Sequence, residues 1–291
     1  MTSIRMLREL LDEPDVTDVL VNDGTDVWCE RHGALERVGS LAPGDIDVEL
    51  ERVLAPIGRR LDRRHPMVDA RLSDGTRVSA IVAPVATRGT CVAFRSLRHH
   101  RFEPADFASD AATEAELLAL LHERRNVLVS GATGSGKTSL LGSLVSSVSH
   151  TERVVVMEDL HEIVADHPHL LRLEARPPTA DDPIGIDLDD LLRASLRLRP
   201  DRLVVGEVRG AEAVTLVNAL NTGHLGSLAT IHANSAHDAL GRLALLLHRS
   251  LPAVDPRTID AMVKAAVHVV IHLARDGSGS RRVRQVLRLP R

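Results

Sequence analysis

The sequence predicts an α/β protein, an open and largely parallel sheet preceded by a smaller α+β domain. Three observations predict it. From Asn126 onward, apolar runs of strand length alternate with helical segments. A glycine-rich loop, GATGSGKT at residues 131–138, lies between one such run (126–130) and a stretch that can continue as a helix (139–145). Before residue 100, strand-type runs are separated by turn signals at Asn22-Asp23-Gly24 and Asp74-Gly75. The 291 residues suffice for about two domains.

In chain order, an amphipathic helix is expected over residues 4–11, followed by strands at 19–21 and 27–29. A helix over 48–61 comes next, then strands at 77–82 and 90–95. Residues 98–112, with paired histidines and Pro104, read as a linker, giving domains at 1–100 and 113–291 with 101–112 between them. Thr113 and Glu116 form a capping box that opens a helix to about residue 124. Residues 153–157 read as a strand of the buried type, and 202–207 as a second apolar strand ending in Gly-Glu. The chain closes on a hairpin, 269–273 and 283–289, around Asp276-Gly277-Ser278-Gly279.

Composition narrows the class. A hydrophobic fraction of 44% with 26% charged residues is that of a globular protein. No apolar run is long enough to span a bilayer, and the N-terminus lacks the apolar core of a secretory signal. Two cysteines, Cys29 and Cys91, can make neither a disulfide framework nor a four-thiolate zinc site, so a cytoplasmic location is expected. A net charge of −4 and 1% aromatic content argue against a polyanion binder or a base-stacking platform for single strands. His161, His167 and His169 lie close in sequence, but without a His-Glu-x-x-His or Cys/His frame they read as scattered surface histidines.

Chemistry concentrates in four segments. In the glycine loop, Gly131, Ala132, Thr133, Gly134, Ser135 and Gly136 would turn successive backbone N–H groups onto an anion at a helix N-terminus. Lys137 would reach β- and γ-phosphates, the Thr138 hydroxyl would take a magnesium position, and Ser139 continues the cradle. Glu158 and Asp159 end the strand at 153–157, with Glu162 just beyond, where a carboxylate can orient an attacking water. Glu207 ends the next strand and would hold the magnesium shell through water. Arg193 and Arg197 are four apart on one expected helical face, Arg199 follows them, and Arg209 follows Glu207; Arg197 and Arg209 are candidate nucleotide contacts. His224 and His232 bracket a further apolar run, His232 as a candidate sensor of the γ-phosphate and His224 as a further nucleotide contact.

The order GATGSGKT, MEDLHEI, RLVVGEVRG and GHLGSLATIHAN resembles the Walker A, Asp box, Walker B and His box of the type II/IV secretion and pilus-assembly ATPases. The stretches VTDVLVNDGTDVWCERHG, DGTRVSAIVAPVATRGTCVAFR and VNALNTGHLGSLATIHANS are similar to the branch serving tight-adherence (Flp/Tad) pili, the CpaF-like ATPases. The resemblance implies a RecA-like P-loop motor domain with a PAS-like N-terminal domain on a flexible linker. It implies ATP and Mg2+, a homohexamer, platform proteins of the inner membrane as partners, and peripheral attachment at the inner face of the cytoplasmic membrane. It also implies that Arg77 and Arg95, with Arg71 as a further candidate, approach the phosphates from the N-terminal domain. Glu158 matches the catalytic acidic position, and Lys137, Glu207 and His232 complete the catalytic set. Leu160 departs from the Thr or Pro common in the Asp box, and the zinc-holding four-cysteine segment of extension ATPases is missing.

Two rival readings follow from the same residues. RecA-like sheets also serve conjugative DNA-transfer motors, which the acidic charge and sparse aromatics oppose. A scaffold that binds ATP only to assemble would not need Glu158, Glu207 and His232.

Overall fold

The computed structural model describes residues 3–13, 15–31, 34–96, 101–178, 183–276 and 279–290. The chain forms two compact units, Met1–His99 and His100–Arg291.

The first unit contains α1 (Ser3–Asp12), β1 (Val16–Asn22), β2 (Asp26–Arg31), β3 (Ala34–Ser40), α2 (Asp45–Leu54), β4 (Met67–Arg71), β5 (Arg77–Ile81) and β6 (Cys91–Arg95). Its strands make one antiparallel sheet in the order β3-β2-β1-β6-β5-β4. Alternate residues such as Val19, Val27, Val78, Val92 and Phe94 point to one face, where they pack with Leu7, Ile46 and Leu50 of the two helices. The helix expected over 48–61 is α2, which starts earlier and stops at Leu54 because Pro56, with no N–H, turns the next residues into a short 3-10 segment. Strand β3 gave no apolar alternation to read, since most of its residues are exposed.

The second unit contains α3 (Ala111–His122), β7 (Val127–Gly131), α4 (Lys137–Ser146), β8 (Val154–Glu158), β9 (Leu170–Glu174), α5 (Leu188–Ser195), β10 (Arg202–Val205), α6 (Glu212–Asn221), β11 (Leu228–His232), α7 (Ala236–Ser250), α8 (Pro256–Ala266), β12 (Val269–Arg275) and β13 (Arg281–Arg288). The sheet order is β13-β12-β7-β11-β10-β8-β9, parallel throughout except where β13 returns against β12. Strands β7, β8 and β10 are buried along their whole length, because helices cover both faces. One face packs Leu117, Leu120, Leu140 and Leu144 of α3 and α4, the other Leu192, Leu216, Leu243 and Val263 of α5 to α8.

Two expectations are corrected here. Helix α3 begins before Thr113: its cap is Asp110, whose carboxylate accepts from the Thr113 N–H at 2.7 Å, so Thr113 lies inside the first turn. The segment expected as a linker is folded into the second unit from Arg101 on. Phe107 is 1% exposed among Leu117 and Leu140, and its carbonyl accepts from the Val283 N–H at 2.9 Å. The tip of the C-terminal hairpin, Gly277-Ser278, lies outside the described residues.

The edge of the sheet opposite the glycine loop is fastened by polar groups. Asn126 donates from its amide to the Ala266 carbonyl and accepts from the Gly226 N–H, which ties the starts of β7, β11 and β12 together. Arg202, at 2% exposure, donates to both oxygens of Glu152 (2.9 and 2.8 Å) and to the carbonyls of Gly226 and Leu121. A buried charge so completely paired is neutral on balance, yet removing Arg202 leaves Glu152 to Arg124 alone and takes a donor from the Gly226 carbonyl. Arg202→Met is therefore expected to destabilise the second unit by about 3–5 kcal/mol, read as a lower urea midpoint at unchanged m.

Candidate active site

The parallel register builds the site. Pairing of β11 with β7 sets His232 level with Gly131, and pairing of β10 with β8 sets Val205 level with Met157. The carboxyl ends of four strands thus deliver the glycine loop, His232, the Gly206-Glu207 pair and Glu158 to one edge, where open α/β sheets bind ligands.

The loop closes on α4 through Gly136, whose φ of +94° is a left-handed conformation that a side chain resists. Lys137, the first residue of the helix, is 7% exposed. Its ammonium donates to the carbonyls of Gly131 (3.1 Å) and Ala132 (3.0 Å) and lies 3.2 Å from His232 Nδ1. Burial lowers its pKa, an effect that the charges of Glu207 and Glu162 oppose. Thr138 and Ser139 follow in the first turn, each half-buried, while Ala132 and Thr133 are exposed. Ser135 Oγ is buried inside the loop and makes no hydrogen bond among the described residues.

With the ammonium donating to Nδ1, the proton of a neutral His232 sits on Nε2, which lies 3.2 Å from Glu207 Oε1. Burial, and after it the Lys137 charge, lower the His232 pKa, with Glu207 acting the other way. A short chain, Lys137 to His232 to Glu207, therefore crosses the mouth of the loop. Beside it opens a cavity of about 460 Å³ lined by Gly131, Thr133, His232, Asn234, Asp238 and Arg242.

Glu158 is held on both oxygens. Oε1 accepts from the N–H groups of Glu162 (2.9 Å) and Ile163 (2.8 Å), and Oε2 lies 3.0 Å from His161 Nδ1. Gly206 makes the neighbouring approach possible: a Cβ there would stand 3.0 Å from Glu158 Cγ. His161 was read as a scattered surface histidine; its three-residue spacing from Glu158 was the signal available, and the turn after β8 brings the two together.

Other candidates are placed differently. Arg209 pairs with Asp159, so its guanidinium is committed to the end of β8. Arg193 pairs with Asp189 at 2.7 Å, and α5 ends at Ser195, so Arg197 and Arg199 lie beyond the helix, exposed, and do not share its face with Arg193. His224 is not brought to the loop. It sits before β11, at the opposite edge from His232, with Nδ1 3.2 Å from the Ala219 carbonyl. In the first unit, Arg71 is paired with Arg77 and Arg77 with Arg95 across β4, β5 and β6, so the three arginines chosen from sequence form one row across the sheet.

The chain is similar to several known proteins. A putative conjugal transfer protein of Mycobacterium tuberculosis is 38% identical over 98% of this chain and 84% of its own length. The conjugal transfer protein TrbB of Rhizobium radiobacter is 32% identical over 96% of this chain and 85% of its own. Among solved structures, the VirB11 ATPase of the Brucella suis type IV secretion system aligns with a TM-score of 0.52 at 27% identity, covering 98% of this chain and 93% of that one. The pilus retraction motor PilT with bound ADP aligns with a TM-score of 0.72 at 22% identity, covering 100% and 84%, and shares the fold. The sequence matches the type II/IV secretion system protein family over residues 2–286, and the chain belongs to that family.

Proposed function

We propose that this chain is an ATP-hydrolysing motor, and that its turnover drives assembly of a pilus or export of a substrate at the inner face of the cytoplasmic membrane. The observation that carries the reading is the convergence of Lys137, His232, Glu207 and Glu158 on one mouth of the glycine loop. The loop fits a magnesium triphosphate on its own chemistry. It offers a cationic side chain already held on carbonyls, a buried hydroxyl at Ser135 without a partner among the described residues, and the N-terminus of a ten-residue helix. Magnesium, when bound, would neutralise charge on the β- and γ-oxygens, held by the Thr138 hydroxyl and through water by Glu207.

The protein's own groups do the rest. Lys137 exchanges its loop carbonyls for phosphate oxygens, which carry full charge where the carbonyls carry dipoles. Losing the ammonium from Nδ1 leaves His232 free to turn, so it senses whether the terminal phosphate is present. Glu158, fixed by two backbone N–H groups and His161, aligns the attacking water. The row Arg71, Arg77 and Arg95 adds charge that complements phosphate when the N-terminal unit closes. Catalysis here is positioning and electrostatics.

The motor is read as a homohexamer bound to platform proteins of the inner membrane, and its sequence motifs favour the tight-adherence pilus branch. A conjugative DNA-transfer motor is the second reading, favoured by the names of the two curated relatives. ATPase activity that rises severalfold with added DNA would establish the second reading; unchanged activity supports the first.

Two variants test the chemistry. Lys137→Ala is expected to abolish phosphate release while leaving the thermal midpoint in place, and normal turnover by it would remove the loop from the mechanism. Glu158→Gln should keep ATP binding and slow hydrolysis at least about a hundredfold in a single-turnover assay. An unchanged rate would assign the water to another group.

A further inference from the structure

Helix α7 begins just after His232, and its first two turns form one wall of the cavity beside the glycine loop. Two charges stand on that wall, Asp238 and Arg242, both exposed. They are four residues apart, acid first, a spacing at which a helix favours an ion pair. On α5 the same spacing, Asp189 and Arg193, closes to 2.7 Å. On α7 it stays open: neither Asp238 nor Arg242 makes an ion pair among the described residues.

The two charges are instead felt on different strands. On β12, burial lowers the His272 pKa and the Asp238 charge opposes that shift. On β11, burial and the Lys137 charge lower the His232 pKa, and the Arg242 charge adds to them. A carboxylate and a guanidinium thus flank an opening of about 460 Å³, which Thr133 and Asn234 also line.

Hydrolysis changes the terminal phosphate in one respect that such a pair can read. The oxygen of water bonds to the γ-phosphorus, and the bridging oxygen leaves with ADP. One hydrogen of the water stays on the new phosphate as a P–OH group, and Glu158 takes the other. The ionised γ-phosphate of ATP has only acceptor oxygens, whereas hydrogen phosphate both accepts and donates. Lys137 and the loop N–H groups are donors, which suits the substrate. A guanidinium donor beside a carboxylate acceptor suits the product.

We propose that this cavity is a binding site for the cleaved phosphate, with the Arg242 guanidinium donating to its oxygens and the Asp238 carboxylate accepting from its hydroxyl. His232 lines the cavity and also meets Lys137 at the loop, so the phosphate leaves past the residue that senses it. The ligand class is a tetrahedral oxyanion that carries a hydroxyl. Sulfate has the same shape but no hydroxyl, and presents only negative charge to Asp238.

A product site presupposes the ATPase reading, and the experiment separates the two. Calorimetry first measures ADP binding in the presence of magnesium. Inorganic phosphate or sulfate is then titrated into the ADP-saturated chain, for wild type, Arg242→Gln and Asp238→Asn, with thermal midpoints confirming folding. Wild type is expected to bind phosphate at least about tenfold more tightly than sulfate, because a site built to bond a hydroxyl rejects the analogue lacking it. Arg242→Gln should weaken phosphate about tenfold, as expected for a lost hydrogen bond to a charged group, and leave the ADP Kd unchanged. Asp238→Asn should abolish the preference, since an amide donates to either anion. Undetectable phosphate binding, equal affinity of wild type for the two anions, unchanged phosphate affinity in Arg242→Gln, or a preference that survives Asp238→Asn overturns the phosphate site. Absence of ADP binding by the wild-type chain overturns the ATPase reading instead.

Discussion

The pairing of β7 with β11 is the constraint on which the site depends. Setting His232 level with Gly131 lets the Lys137 ammonium satisfy its three donors on two loop carbonyls and one imidazole nitrogen. Without that register the lysine, largely buried, would lack a polar partner on one side, and His232 would have no reason to carry its proton toward Glu207. A slip by one residue would turn the imidazole to the other face of the sheet. Stiffness of the parallel core thus fixes a proton position at its edge.

The same edge holds opposite electrostatic demands apart. Lys137 and Glu207 share His232, so each moderates the other's charge, and burial acts on the lysine and the histidine in the same direction. Glu158, 4% exposed, is instead satisfied by backbone N–H groups of the turn that follows it and by His161. Two carboxylates on adjacent strands therefore have different surroundings, one coupled to the loop and one to its own turn. The division of labour we propose, between a metal-shell carboxylate and a water-aligning carboxylate, would draw on such a difference.

At the far edge, the Arg202–Glu152 pair and Asn126 hold the strand starts, so the carboxyl ends inherit a fixed spacing. The C-terminal hairpin completes the frame by gripping residues 106–108, which seats Phe107 in the core and Phe102 at its rim. Elements distant in sequence by more than a hundred residues meet around a loop of eight.

Much of this was legible in the sequence because the relevant physics is local. Strand-type apolar runs ending in Gly, Glu or His, and a glycine loop ahead of a helix, announce themselves by residue type and spacing, as do the hairpin and the alternation of elements from Asn126 on. Elements whose residues face water carried no such signal, which is why β3 went unread and why α5 looked two residues longer on its arginine face. Tertiary structure alone decided which residues meet. It paired His161 with Glu158, turned Arg209 onto Asp159, left His224 at the edge opposite the glycine loop, and drew Phe107 out of an expected linker into the core. Composition and period specify what an element is, whereas strand register and the packing of distant segments specify what lies beside it, and chemistry at a site depends on the second.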